Sequence, residues 1–411
     1  MIGSLYSGIS GLKTNTSAMA VIGDNIANVN TTGFKTSKVS FANIFNATVG
    51  QSRTQAGRGV TMSGIASNWD SGTMETTSSV TDLAINGQGM FIVEDPTDGA
   101  QYYTRAGNFE FDRDGYLINQ DGYQVQGYSI NPATGVLGPM AAITMPPGMS
   151  TPSATNEITM GLNLDASAAV GDTYDTTVTT YDSLGNPIEL TFNFENTGAN
   201  TWEYYVTSSS GAATPAAPPA VPNELVFDTS GNLVPASCTP AGANPTIAVT
   251  GLSGADLSIT WTLLDGAGAT DGSVTGYAAN SVKTAQTQNG YPSGMLQGVS
   301  VDEDGIFTGL YSNGTMLSFA QITLADFASY AGLSKQGSNL FVSSLASGAA
   351  IPSVPNTAGV GAIAPSSLEM SNVDLASEFV ELITTQRAFQ ANSKVITTSD
   401  EVLAELINIK R

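Results

Sequence analysis

The sequence predicts a mainly β protein with helical termini, in which nested, discontinuous β domains are joined to an α-helical coiled-coil domain formed by both ends of the chain. Apolar residues recur at heptad spacing at the two termini, and short β-branched runs separated by Asp-Gly turns fill the region between them. A long internal span also lacks basic residues. These patterns predict four parts of the chain. Residues 1–30 and 359–411 form a terminal helical domain, and residues 31–70 form an extended connector. Residues 71–145 and 285–358 form an inner β domain, and residues 146–284 form an outer acidic all-β domain.

Each end of the chain predicts a helix with one apolar seam, because its apolar residues alternate at spacings of three and four. The N-terminal seam consists of Ile2, Leu5, Ile9, Leu12, Met19 and Ile26. The C-terminal seam consists of Leu375, Phe379, Leu382, Phe389, Ile396, Leu403 and Ile407. Seams of this length need apolar partners, so we expect the ends to assemble with each other and with further copies of the chain. The same periodicity also allows two amphipathic helices packed on a β core.

The inner β domain is predicted from strand pairs on both sides of the acidic span. Its runs are interrupted by dipeptides that favour tight hairpins. These dipeptides are Asp114-Gly115, Asp121-Gly122, Asp304-Gly305 and Asn313-Gly314. We therefore expect 71–145 and 285–358 to form one β domain that the outer domain interrupts.

The outer domain is predicted from its charge and its strands. No Lys or Arg lies between Arg113 and Lys283, whereas this span contains acids throughout. Runs that alternate or are rich in β-branched and aromatic residues are separated by turn residues, which indicates an all-β sandwich or barrel. The runs are TYDTTVTTYD (173–182), IELTFNF (188–194), TWEYYVT (201–207) and LSITWTLL (257–264).

Overall composition excludes several classes of partner. The 411 residues include 35 acids, 13 bases and no histidine, for a net charge of -22. Nucleic acid and anionic membranes need a basic surface, so neither is an expected partner. No run approaches 18 apolar residues, and the first residues lack the charged and apolar regions of a secretory signal. We expect no membrane insertion and no cleaved signal peptide.

The sequence offers little material for catalysis. Without histidine there is no Ser-His-Asp or Cys-His pairing and no imidazole ligand, and the single cysteine, Cys238, excludes thiolate zinc sites. We therefore expect no catalytic, cofactor-binding or metal site, and a protein that is not an enzyme.

Two terminal motifs closely resemble the bacterial flagellar rod and hook family. The segment 7–45 contains ANVNTTGFK at 27–35, and the segment 371–409 contains TQRAFQAN at 385–392. Stretches at 179–194 and 324–344 are similar to the hook subunits of that family. The motif residues carried over are Ala27, Asn28, Asn30, Gly33, Phe34 and Lys35, with Gln386, Arg387 and Asn392.

The resemblance implies a structural subunit of the flagellar hook, located outside the cell in the basal body and hook. Such a subunit polymerises into a flexible curved tube, the universal joint that transmits torque from motor and rod to filament in swimming motility. The implied partners are further copies of the chain, the hook cap protein, the distal rod protein, the hook-filament junction protein and the flagellar type III export apparatus. The alternatives are a distal rod subunit of the same family and a secreted β-rich adhesin.

The resemblance also implies one export contact near the N-terminus. In related subunits a Phe followed four residues later by an aliphatic residue engages the export gate. Leu5 and Ile9 occupy the matching positions here, with leucine in place of the aromatic residue.

Overall fold

The chain forms two compact units, neither of which is continuous in sequence. The computed structural model describes residues 2–44, 59–132, 134–198, 200–215, 223–265 and 268–409, with backbone alone at residues 2, 3 and 406–409. The first unit consists of Met1–Pro146, Val299–Gly309 and Leu317–Arg411. The second unit consists of Pro147–Gly298 and Leu310–Met316. The predicted class, mainly β with helical termini and nested β domains, is confirmed.

The first unit contains both terminal helices, α1 (Ile2–Ala27) and α2 (Leu375–Ile409). Asp374 caps α2, because its carboxylate accepts hydrogen bonds from the Ala376 N–H (3.0 Å) and the Ser377 hydroxyl (2.7 Å). The hydrogen bond from the Ser377 hydroxyl has the largest effect in holding the pKa of Asp374 below its ordinary value, and hydrogen bonds from backbone N–H groups add to it. Neither of the two helices described here is long and apolar enough to cross a membrane.

The β structure of the first unit is antiparallel wherever its register is defined. Its main sheet has the strand order Leu296–Val301, Ile306–Tyr311, Met316–Ile322, Gln124–Ile130, Met90–Glu94, Gln101–Thr104, Leu340–Val342 and Ser334–Gly337. Residues 296–298, 310–311 and 316 of these strands are part of the second unit. Smaller strands extend this sheet at Glu110–Phe111, Leu117–Ile118, Leu137–Ala142, Leu324–Asp326 and Ile351–Ser353. Separate pairs are Ser37–Asn43 with Val60–Ser67, Met74–Thr76 with Ser367–Glu369, and Leu83–Asn86 with Ala362–Pro365.

The core of the first unit lies on this sheet. Phe91 and Phe109 pack edge to face with ring centroids 5.1 Å apart, and Val93, Leu117 and Phe307 are buried in the same cluster. The predicted Asp-Gly turns are present: Gly115 and Gly122 both adopt positive φ, which glycine tolerates and other residues rarely do.

The second unit is a sandwich of two sheets. One sheet has the order Ala212–Thr214, Thr246–Thr250, Leu257–Thr262, Glu157–Asn163 and Val274–Thr275, and Val282–Gln288 also pairs with Glu157–Asn163. The other has the order Thr173–Tyr181, Pro187–Gly198, Thr201–Ser208 and Glu224–Val226. The strands of the second sheet alternate buried and exposed residues, as strands with one face on a core do.

Aromatic side chains fill the space between the two sheets of the second unit. Trp261 comes from one sheet and packs edge to face against Phe192 (5.3 Å) and Tyr204 (5.4 Å) from the other. Phe194 and Trp202 are also fully buried in this cluster. The second unit therefore closes its apolar core with its own side chains.

Aspartate-led turns join several strands. In the second unit the Asp228 carboxylate accepts from the Ser230 and Asn232 N–H groups, each at 2.8 Å. Asp182 accepts in the same way from Leu184 and Asn186. Such turns satisfy backbone donors that a tight hairpin leaves unpaired.

The observed boundaries differ from the predicted ones. The second unit extends to Gly298 instead of ending at 284, and it also includes Leu310–Met316. The strand Val282–Gln288 continues past the predicted end and pairs with Glu157–Asn163 in the sheet of the second unit. The described part of the connector 31–70 contains the hairpin of Ser37–Asn43 and Val60–Ser67, and the rest of that segment, 45–58, lies outside the described residues. In the predicted helical segment 359–411, residues before Leu375 contribute strands to the first unit.

Candidate assembly site

The two terminal helices pack against each other through glycines. A Cβ atom at Gly8 would lie 3.0 Å from Ile396 Cγ1, and one at Gly11 would lie 2.7 Å from Asn392 Nδ2. Distances this short leave no room for a larger residue unless the neighbour moves. The glycines of α1 therefore permit a close approach of α2, and Asn392 of the C-terminal motif lies at this contact.

The buried face of α1 is offset from the predicted apolar seam. Leu5, Leu12, Met19 and Ile26 are half-buried, and Ile9 is 47% exposed. The side chain of Ile2 lies outside the described residues. The residues of α1 that are buried within the chain are Gly8, Gly11, Thr14, Ala18, Ile22 and Asn25.

Helix α2 leaves a large apolar surface uncovered within the chain. Its seam residues Leu382, Phe389, Ile396 and Leu403 are half-buried, Leu375 and Phe379 are exposed, and the side chain of Ile407 lies outside the described residues. Further exposed apolar residues that the seam prediction missed are Val380, Ile383, Val395 and Val402. A second apolar stripe of weaker periodicity was the available signal for them.

The N-terminal motif divides into exposed and buried residues. Ala27 and Asn30 are exposed and Asn28 is half-buried, whereas Gly33, Phe34 and Lys35 are buried. In the C-terminal motif Gln386 and Arg387 are exposed and Asn392 is half-buried.

A buried charge cluster includes Lys35, the last residue of the N-terminal motif. Lys35 Nζ lies 2.7 Å from Glu369 Oε1, and Arg105 Nη1 lies 3.1 Å from Glu369 Oε2. The side chains of Lys35 and Arg105 are 1% and 2% exposed and that of Glu369 is fully buried. Burial lowers the pKa of Lys35, and the adjacent Glu369 carboxylate opposes that effect.

Side-chain amides continue this arrangement toward the helices. Asn25 and Ser37 exchange two hydrogen bonds, from Asn25 Nδ2 to the Ser37 carbonyl (2.8 Å) and from the Ser37 N–H to Asn25 Oδ1 (2.9 Å). Asn25 also donates to Glu378 on α2 (3.2 Å), and Asn372 accepts from the Thr36 N–H (2.8 Å). We call Asn25, Lys35, Arg105, Glu369 and Asn372, with their partners, the basal junction.

The basal junction joins segments from both ends of the chain near the end of α1 and the beginning of α2, which we call the base of the helices. Sequence reasoning identified Lys35 as a motif residue but missed Arg105, Glu369 and Asn372. The available signal was Glu369 itself, a carboxylate between the apolar residues Leu368 and Met370.

The described residues of this site make packing contacts, hydrogen bonds and buried ion pairs. Across the described ranges, no three His, Cys, Asp or Glu side chains are placed to hold a metal ion. What the site presents is an apolar helical surface fixed to a β body.

Comparison with known proteins shows which family shares this sequence and architecture. Models of flagellar axial proteins match four parts of the chain: flagella basal body rod protein at 5–35, flagellar hook protein FlgE/F/G D1 domain at 84–161, flagellar basal body protein FlaE D2 domain at 153–291, and flagellar basal body rod FlgEFG protein C-terminal at 364–409. The flagellar hook protein FlgE of Salmonella typhimurium is 33% identical over 99% of this chain and 100% of its own length. The chain belongs to the flagellar hook protein family. The hook protein FlgE of Treponema pallidum is likewise 33% identical, with both chains covered completely.

A solved structure agrees on the fold. The Helicobacter pylori flagellar hook protein FlgE2 superposes with a TM-score of 0.53 at 14% identity, over 72% of this chain and all of that one. Family membership makes the chain a structural subunit of the flagellar hook and places it in the flagellum. The recognition drawn from the terminal motifs is confirmed.

Proposed function

We propose that the terminal helices are the surface through which this hook subunit polymerises into a flexible, curved tube. The observation that carries the proposal is the apolar surface of α2, where Phe379 and Val380 are 50% and 63% exposed. Apolar residues at this density on a helix are normally covered by a partner. Within a polymer the partners are the helices of neighbouring copies.

The predicted seam residues fall into two groups, those partly covered within one chain and those exposed to other copies. The half-buried members, among them Leu12 and Phe389, are already partly covered within one chain. The exposed members Ile9, Leu375 and Phe379 face outward and are available to other copies. Each subunit thus carries an internal helix contact and an external one.

The second unit suits a joint that bends while it transmits torque. It contains a single base, Lys283, among many acids, so like charge opposes close contact between second units of neighbouring copies. Its side chains bury its own core, so we expect the second unit to be stable without a partner. Contacts between second units are then weak enough to exchange as the tube bends.

The remaining features of the proposal follow the family resemblance. The subunit is exported through the flagellar type III apparatus, with Leu5 and Ile9 as the gate-binding pair. It assembles beneath the hook cap protein, between the distal rod protein and the hook-filament junction protein. It is not an enzyme.

Substitutions on α2 test the polymerisation surface. Val380→Asp and Ile383→Asp place charges on exposed apolar positions, and Gln390→Asp places the same charge at an exposed polar position of the same helix. We expect the Val380→Asp, Ile383→Asp double variant to form no hook tubes in electron micrographs and the Gln390→Asp variant to form them normally. Normal tubes from the Val380→Asp, Ile383→Asp double variant contradict the proposal.

A further inference from the structure

Three charged residues from distant parts of the sequence are buried together in the basal junction. Lys35 follows α1, Arg105 directly follows the strand Gln101–Thr104 of the main sheet, and Glu369 ends the strand that precedes α2. Lys35 and Arg105 both contact the carboxylate of Glu369, at 2.7 and 3.1 Å. One carboxylate therefore serves two buried cations.

The other contacts of the two cations are with backbone carbonyls. Lys35 Nζ donates to the Asp70 carbonyl (2.9 Å), and Arg105 donates to the carbonyls of Ile85 (3.3 Å) and Gly87 (2.7 Å). Carbonyl dipoles solvate a cation but supply no net charge. If Glu369 is absent from the site, docking of the N-terminal loop brings Lys35 beside a second buried cation without the carboxylate that both cations contact. The Asp70 carboxylate also attracts Lys35, but its effect is weaker than that of Glu369, so docking is strongly unfavourable.

The same C-terminal segment also provides the backbone contacts of that loop. The Gly33 N–H donates to the Glu369 carbonyl (2.7 Å), and the Thr36 N–H donates to Asn372 Oδ1 (2.8 Å). The loop turns tightly at Gly33, which has φ +68 and leaves only 2.5 Å between an added Cβ and the Ala106 nitrogen. The loop therefore has one docked position, and the C-terminal segment defines much of it.

We propose that Glu369 is a positioning residue that makes docking of the N-terminal motif loop, residues 31–37, conditional on prior docking of the C-terminal segment. The two segments then lock together at the base of the helices, and α1 is held in place only when α2 is too. A subunit with a single end in place cannot present a fixed helix surface. The inference concerns the fold of one subunit, and it holds whether or not the helices mediate polymerisation.

The test is hydrogen exchange on the full-length chain with four variants: Glu369→Gln, Lys35→Met, the double variant, and the control Glu75→Gln. Glu75 is exposed on the neighbouring strand, opposite Leu368, so the control makes the same chemical change outside the cluster. Exchange in the strands of the second unit serves as the internal reference for a folded chain.

In Glu369→Gln we expect amide exchange in residues 33–37 to rise by at least about tenfold, because Lys35 and Arg105 lose their counter-charge. Lys35→Met in addition removes one of the two cations, and we expect exchange to return to within about threefold of the wild type. Lys35→Met alone and Glu75→Gln should exchange like the wild type.

Two results overturn the proposal. One is wild-type protection of residues 33–37 in Glu369→Gln. The other is failure of Lys35→Met to restore protection in the double variant, which shows that the loop needs the shape of Glu369 and not its charge. If Glu369→Gln yields no folded chain, recovery of a folded chain by the added Lys35→Met supports the proposal, and no recovery refutes it.

Discussion

The second unit and the terminal helices differ in how far their apolar side chains are buried within one chain. In the second unit Phe192 and Trp261 are fully buried by neighbours from the same unit, whereas on α2 Phe379 and Val380 are at least half exposed. Exposed aromatic and β-branched side chains on a helix cost stability unless they gain a partner. The second unit therefore buries its apolar core within one chain, and we expect neighbouring copies to cover the exposed apolar residues of α2.

Loss of a helix gives the largest effect that this comparison predicts. A chain that ends at Asp374 lacks all of α2, and with it both the packing partner of Gly8 and Gly11 and the exposed apolar surface. We expect no tubes by electron microscopy, while the second unit keeps the near-ultraviolet circular dichroism of its packed aromatic residues. Tubes formed by this truncated chain would show that assembly does not depend on α2.

Truncation of a core side chain in the second unit gives the next effect. Phe192→Ala should lower the free energy of unfolding of that unit by about 3 to 5 kcal/mol, because the cavity between the two sheets cannot close fully. Urea unfolding followed by tryptophan fluorescence measures this in a Trp69→Phe background, where the remaining tryptophans, Trp202 and Trp261, both lie in the second unit.

The matched control for Phe192 is Leu184→Ala in the same unit. Leu184 is exposed, so this change should alter the free energy of unfolding by no more than about 0.5 kcal/mol. Equal costs for both substitutions would mean that the core of the second unit is not closed as described.

Two glycines of α1 separate close packing from helix propensity. Gly23→Ala meets no atom within 4 Å and should stabilise the helix by up to about 1 kcal/mol. Gly11→Ala gains the same propensity, but its methyl group must displace the Asn392 side chain, and this displacement offsets part of the gain. We expect thermal melts of the helices by circular dichroism to shift upward less for Gly11→Ala than for Gly23→Ala.

Removing the obstructing side chain provides the control for Gly11. Gly11→Ala combined with Asn392→Ala should recover much of the offset gain, since the clash is with the Asn392 side chain. If Gly11→Ala alone stabilises as much as Gly23→Ala, then α1 does not approach α2 closely at this point.

The sequence predicts the second unit well because its rules are local. Strands such as Thr173–Tyr181 and Thr201–Ser208 alternate inward and outward residues, and this alternation is visible without any knowledge of the partner strand. The aspartate-led turns are equally local, since each side chain caps a backbone group within four residues.

The buried face of α1 and the basal junction are not local, and sequence reasoning missed both. Gly8 and Gly11 weigh against a helix by propensity, yet they face α2 because a partner helix must approach closely there. Lys35, Arg105 and Glu369 lie far apart in the chain, and only the fold brings them together. Lys35 and Arg105 each resemble ordinary surface residues in the sequence, and only Glu369, between two apolar residues, departs from that pattern.

The smallest predicted effect is a difference in pH response between the two regions. In the second unit the Asn232 N–H, with further donors, holds the pKa of Asp228 below its ordinary value of 3.8. A lowered pKa means that the contribution of Asp228 to stability is present above 3.8 and is lost as the pH falls through the folded value. At the base of the helices, burial raises the pKa of Glu378 above its ordinary value of 4.5.

The pH dependence of the stability contribution of Glu378 is opposite to that of Asp228, because the folded chain binds the proton of Glu378 more tightly than the unfolded chain does. Its favourable contribution is fully present below 4.5 and is lost as the pH rises through the folded value. Acidification should therefore weaken the turn at 228–232 while it relieves the burial cost beside Asn25. Hydrogen exchange between pH 3 and 6, corrected for intrinsic rates, should show Asp228→Asn flattening the first response and Glu378→Gln flattening the second. Responses of the same sign in both regions would show that the two carboxylates are not held in these contrasting environments.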